Sequence, residues 1–104
     1  MVDKPTLYAG DFGAPIEVQF IGVDQLPVPI GSATVRQITL RATDNNTYRR
    51  AASFTTDGSD GKIRWLVEPG FFKQLGVWQV QGYVELPGQT LTSSVAELRV
   101  DRRL

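Results

Sequence analysis

Histidine and cysteine are both absent from the 104 residues. Without histidine there is no Ser-His-Asp or Cys-His constellation, and the commonest general base and commonest metal ligand are missing. Without cysteine there is no disulfide, no thiolate nucleophile and no thiolate metal site. A secreted domain this small more often carries a disulfide, so the lack of one favours synthesis in a reducing cytoplasm. Catalysis is not expected, and neither is a metal or cofactor. Glu17, Glu85 and Glu97 alternate with apolar neighbours as solvent-facing strand residues do, and no two carboxylates stand at a spacing that implies a paired site. A small hydrolase built from distant carboxylates ranks last among the readings, because so small a domain offers little depth for a substrate cleft.

Net charge is missing too. Eleven basic and eleven acidic side chains cancel, and the balance is local, with five of each sign in residues 1–52 and six of each in residues 53–104. Such a chain has no field with which to gather a polyanion, so nucleic acid and anionic membrane are not expected partners. Besides Arg49-Arg50, the densest basic cluster is Arg99, Arg102 and Arg103, which reads as a solvated tail. No apolar run approaches the length of a membrane span. No charged segment followed by an apolar run opens the chain, so no secretion signal is expected. Helical periodicity is almost absent as well.

What the chain does contain is alternation with a period of two, in short runs separated by Gly, Pro, Asp and Asn. Ile16, Val18 and Phe20 share one face of Pro15–Gly22, opposite Glu17 and Gln19. Ile38, Leu40 and Ala42 do the same in Thr34–Ala42, Ile63, Trp65 and Val67 in Lys62–Glu68, and Trp78, Val80, Gly82 and Val84 in Val77–Glu85. Each reads as an antiparallel strand with one buried and one wet face. The run Leu91–Val100 changes phase midway, which a β-bulge near Val95-Ala96 would reconcile. Thr6–Ala9 and Thr47–Phe54 are weaker candidate strands.

The separators are turn residues. Asn45-Asn46 suits a tight hairpin, and Pro87-Gly88 separates the last two runs. Pro69–Gly76, proline first and glycine last, predicts one short helical turn over 69–75. Gly22–Ser32 is the longest loop, its Pro27 and Pro29 ruling out a central strand. About seven short strands with a turn roughly every ten residues describe an all-β immunoglobulin-like sandwich, with a small five-stranded barrel as runner-up. A chain of this length makes one domain and buries roughly 65% of its unfolded surface. It is expected to comprise an N-terminal arm over 1–14 and a sandwich over 15–104. The arm holds one proline and two glycines and would order on a neighbouring subunit. Trp65 and Trp78 fall on inward positions of two strands read as neighbours and are expected in the core between the sheets.

The segment Thr55-Thr56-Asp57-Gly58-Ser59-Asp60-Gly61-Lys62 invites a calcium reading. Counted from Asp57 as an EF-hand loop, Ser59 is third and Glu68 twelfth, but Lys62 stands where glycine must turn the chain and Gly61 where a ligand belongs. Two Asp-Gly turns, their carboxylates bonded to local amides, explain the segment better. No Gly-Lys-Ser/Thr loop and no GxGxxG is present.

That same segment carries a resemblance. Thr55 to Lys62, then Leu75-Gly76-Val77-Trp78-Gln79-Val80-Gln81, then Ser93 to Val100, resemble a group of small structural proteins of tailed phages and prophages, and Tyr8–Phe20 fits the same group. More loosely, the chain is similar to the N-terminal Ig-like domain of phage baseplate upper proteins, which carry receptor-binding proteins. The resemblance implies a virion component made in the host bacterial cytoplasm, an adaptor or decoration module of tail, baseplate or head. It would bind other virion proteins and repeat as a homo-oligomer within the particle. Candidate partner contacts are Tyr8 and Phe12 in the arm, Val28 and Ile30 in the long loop, Tyr48, and Asp57 and Asp60 in the double turn. The alternative is a carbohydrate-binding, host-adhesion sandwich, for which Tyr8, Phe12, Tyr48 and Tyr83 are the candidate aromatic platform.

Overall fold

Each alternating run becomes a strand with its apolar parity turned inward, because only a packed face removes those side chains from water. The computed structural model describes residues 6–103. They form β1 (Thr6–Tyr8), β2 (Pro15–Gln19), β3 (Val35–Arg41), β4 (Thr47–Ala51), β5 (Ser53–Phe54), β6 (Lys62–Leu66), β7 (Gly76–Leu86), β8 (Gln89–Thr92) and β9 (Ala96–Asp101). The larger sheet has the order β1-β9-β7-β3-β4, with β8 also on β7, and the smaller has the order β2-β6-β5. All pairings are antiparallel except β1 on β9. The result is a two-layer all-β sandwich.

Between the layers lie Ile16, Val18 and Phe20 from β2 and its exit, Ile38 and Leu40 from β3, Ile63 and Trp65 from β6, and Trp78, Val80 and Val84 from β7. The tryptophans belong to opposite sheets and do not sit side by side. Phe71 and Phe72 fill the space between them, with Trp65 to Phe71 at 4.8 Å and Phe72 to Trp78 at 4.7 Å, both edge-on. Edge-on contact sets the positive rim of one ring against the negative face of the next. The Trp78 indole N–H donates to the Gln74 carbonyl at 3.0 Å, so its polar atom is not stranded in the core.

The helical turn expected at 69–75 is not there. Pro69-Gly70 form a tight turn closed by the Phe71 N–H on the Glu68 carbonyl at 3.2 Å, and no helix occurs among the described residues. Gly70 at φ +75 leaves the right-handed helical region at once, and the packing of Phe71 and Phe72 into the core holds the rest of the segment irregular. Two other expectations become more exact. Thr47–Phe54 divides at buried Ala52, where the chain passes from the larger sheet (β4) to the smaller (β5). The phase change in Leu91–Val100 is one extra residue: between the Tyr83–Thr92 and Val80–Ala96 pairs, Gln81 and Gly82 face Ser93, Ser94 and Val95. Buried Ser93 repairs the ladder there, its Oγ accepting the Gly82 N–H at 2.8 Å and donating to the Ser94 carbonyl at 2.9 Å. In the arm, β1 lies along β9 of its own chain, with Met1–Pro5 outside the described residues.

Candidate binding surfaces

At the end of the sandwich where β2 stops, the chain makes a small hairpin before returning to the core. Ile21 bridges Pro27, the Gly22 N–H donates to the Leu26 carbonyl at 2.9 Å, and the Gln25 N–H donates to the Gly22 carbonyl at 3.0 Å. Asp24 Oδ1 accepts the Leu26 N–H at 3.1 Å, and Gln25 takes φ +66 to close the turn. The tip is apolar: Val23 is fully exposed, with Leu26 at 61% and Ile21 at 47%. Solvent-facing apolar side chains on a hydrogen-bonded turn are a common mark of a contact surface.

The double Asp-Gly turn holds this hairpin in place. The Ile30 N–H donates to the Gly58 carbonyl and the Phe20 N–H to the Gly61 carbonyl, both at 2.8 Å. Side chains at these glycines would collide with the loop's backbone, since a Cβ at Gly58 would stand 2.7 Å from Gly31 Cα and one at Gly61 2.8 Å from the Phe20 carbonyl. The aspartates serve the turn itself. Asp57 Oδ1 accepts the Ser59 hydroxyl at 2.6 Å and its N–H at 3.0 Å, which together hold the carboxyl below its ordinary value. Asp60 accepts the Lys62 N–H at 3.1 Å and the Thr56 hydroxyl at 3.0 Å. No group of three or more acidic residues among the described residues is placed to hold a metal.

The residues singled out from the sequence divide between the two ends. Val28, Ile30, Asp57 and Asp60 gather at the hairpin end. Tyr8, Phe12 and Tyr48 lie toward the other, where β1 and β9 finish and β4 begins. Tyr8 and Phe12 are exposed, Ile30 is fully buried in the core, and Val28 and Tyr48 pack partly against it. Tyr48 is edge-on to Phe71 at 5.5 Å. Sequence reasoning found this loop but passed over Ile21, Val23 and Leu26. The sign was legible in Gly22, Asp24 and Pro27, turn residues that bracket apolar ones.

A second surface is the outer face of the larger sheet. A groove of about 440 Å³ runs across β4, β3, β7 and β8, lined by Gln37, Arg49, Gln81, Tyr83, Glu85 and Thr92 among others. The Tyr83 hydroxyl donates to Glu85 Oε2 at 2.9 Å, which raises the phenol above its ordinary value of 10.0. No family model and no curated protein sequence matches the chain.

Proposed function

We propose that this chain is an immunoglobulin-like binding module that assembles into a tailed-phage particle through protein–protein contact, the Ile21–Pro27 hairpin being its docking element. The strand order supports the immunoglobulin-like assignment. β2, β6 and β5 correspond to the B, E and D strands of such a domain, while β9, β7, β3 and β4 correspond to G, F, C and C′. A first strand laid parallel on the last shields one edge of the larger sheet, an edge that is otherwise a template for mispairing. The phage assignment rests on the resemblance carried by Thr55–Lys62, Leu75–Gln81 and Ser93–Val100.

The hairpin is the observation that carries the binding role. Val23 stands fully in water and contributes about 1.5–3 kcal/mol when fully buried by a partner, and the part-exposed Ile21 and Leu26 contribute less each. The bracing turn has already ordered the loop, so binding sacrifices little conformational entropy. The Thr55–Lys62 residues that carry much of the resemblance are the ones that build this brace. Repeated copies in a symmetric particle would multiply a modest contact into a stable one.

The test is incorporation. A Val23→Asp, Leu26→Asp double variant should keep the wild-type circular dichroism and melting temperature, because both side chains are solvent-exposed. It should fail to enter particles when it replaces the wild-type gene. Wild-type virions whose mass spectra lack the chain refute the particle assignment, and full incorporation of the double variant refutes the docking role of the hairpin.

A further inference from the structure

The solvent-facing side of the larger sheet has a chemistry of its own. Adjacent outward positions of β3, β7 and β8 carry amides and hydroxyls, beside Arg49 of β4. Register places Arg49, Thr39 and Gln81 in one cross-strand row, and Gln37, Tyr83 and Thr92 in the next. The rows are about 7 Å apart, two residues along a strand. Together they line the groove of about 440 Å³.

From this placement we infer that the groove is a saccharide site, for a short oligosaccharide bearing a carboxylate. Hydroxyl-rich ligands need partners that both donate and accept, and glutamine and threonine side chains do both. Two of the groups are already held in position. Gln81 donates its amide N–H to the Ser93 carbonyl at 2.9 Å, which leaves its Oε1 as an acceptor, and the Tyr83 hydroxyl is tied to Glu85 at 2.9 Å. The tyrosine gives the groove an aromatic surface on which a sugar ring can stack. The acidic preference comes from Arg49. Its guanidinium has no carboxylate within 4.0 Å among the described residues, and the charged Glu85, held by the tyrosine, stands two rows away at the other end of the groove, four residues along β7 from Gln81. A sugar carboxylate would receive the planar fork of Arg49 in two parallel hydrogen bonds. The groove carries none of the exposed apolar side chains of the hairpin, so the two surfaces differ in chemistry.

The experiment is a titration of the isotopically labelled full chain with uronic-acid oligosaccharides and with their neutral counterparts, followed through backbone amide shifts. Acidic oligosaccharides should bind more tightly, with shifts centred on residues 37–39, 49, 81–83 and 92. Arg49→Gln should weaken the acidic ligands roughly tenfold and leave the neutral ones unchanged. Gln37→Ala should weaken both. The Val23→Asp, Leu26→Asp variant should bind as wild type does, so the site stands or falls apart from the hairpin. No shifts at millimolar saccharide, shifts centred elsewhere, or equal binding of acidic and neutral ligands would overturn the inference. So would Arg49→Gln or Gln37→Ala variants that leave saccharide binding intact and are excluded from particles, an outcome that makes the face a protein contact.

Discussion

Replacing Gly61 with alanine should cost far more than the same replacement at Gly88, although both glycines have positive φ, +71 and +80. An L-residue in that region is strained by about 1–2 kcal/mol. The stiffer unfolded chain offsets about 0.4–1 kcal/mol of this. At Gly88 nothing lies within 4 Å of the added Cβ, so the net loss there is about 1 kcal/mol. At Gly61 the added carbon would sit 2.8 Å from the Phe20 carbonyl oxygen, 2.9 Å from that of Val28 and 3.2 Å from the Val28 nitrogen. These are backbone atoms held in the hydrogen bonds that anchor the hairpin, from the Phe20 N–H to the Gly61 carbonyl at 2.8 Å and from the Val28 N–H to the Phe20 carbonyl at 2.9 Å. They cannot rotate aside as a side chain would. Overpacking adds about 1–3 kcal/mol, for a total loss of about 2–4 kcal/mol at Gly61. Urea unfolding of the two variants beside wild type measures the difference directly, and each kcal/mol lowers Tm by about 4 °C in a domain of this size. Equal losses at the two sites would refute the close approach of the Asp-Gly turn to the loop, and with it the account of why the hairpin is rigid.

The remaining predictions concern the core and acid stability. A Cβ at Gly82 would stand 2.8 Å from Val18 Cγ1 across the sandwich, so Gly82→Ala should lose about 1–3 kcal/mol, and Val18→Ala in the same chain should recover part of it. A double-mutant cycle by denaturant unfolding reads this coupling, and strictly additive losses would count against the contact. The carboxyls of Asp57 and Asp44 lie below their ordinary value of 3.8, Asp57 chiefly through the Ser59 hydroxyl and Asp44 chiefly through the Asn46 N–H. Because the fold favours their ionised forms, their contribution is complete above the unfolded value and is lost as pH falls through and below it. Carbon-detected titration should place both midpoints below 3.8, and Asp57→Asn should flatten part of the acid limb of the stability curve.

Period-two alternation and turn chemistry were enough to place most of the strands and to say which side of each faces inward. A side chain's face in a strand depends only on its parity, which is local information, so Ile38, Leu40, Ile63, Trp65, Trp78 and Val80 were readable as core before any partner was known. Asn45 at φ +69 and Gly88 at φ +80 were readable for the same reason, since a turn's demand on backbone conformation falls on the residue that makes it. Half of the bulge was legible as well: the parity break announced an extra residue, but not that Ser93 would close the gap against Gly82.

Everything that depends on which segments meet was decided by the tertiary structure. Alternation carries no address, so it could not say that Trp65 and Trp78 belong to opposite sheets, that β1 pairs in parallel with β9, or that Phe71 and Phe72 would be drawn from a predicted helical turn into the space between the tryptophans. The candidate surfaces show the same division. Within one loop Ile30 is fully buried and Val23 fully exposed, although both are β-branched aliphatic residues of similar hydrophobicity. Their difference comes from Gly58 and Gly61, far along the chain, whose bare backbones let the loop settle in one place. The absence of histidine and cysteine could be read from the sequence alone, because composition does not depend on folding. The apolar tip and the polar groove exist only once distant residues have been brought together.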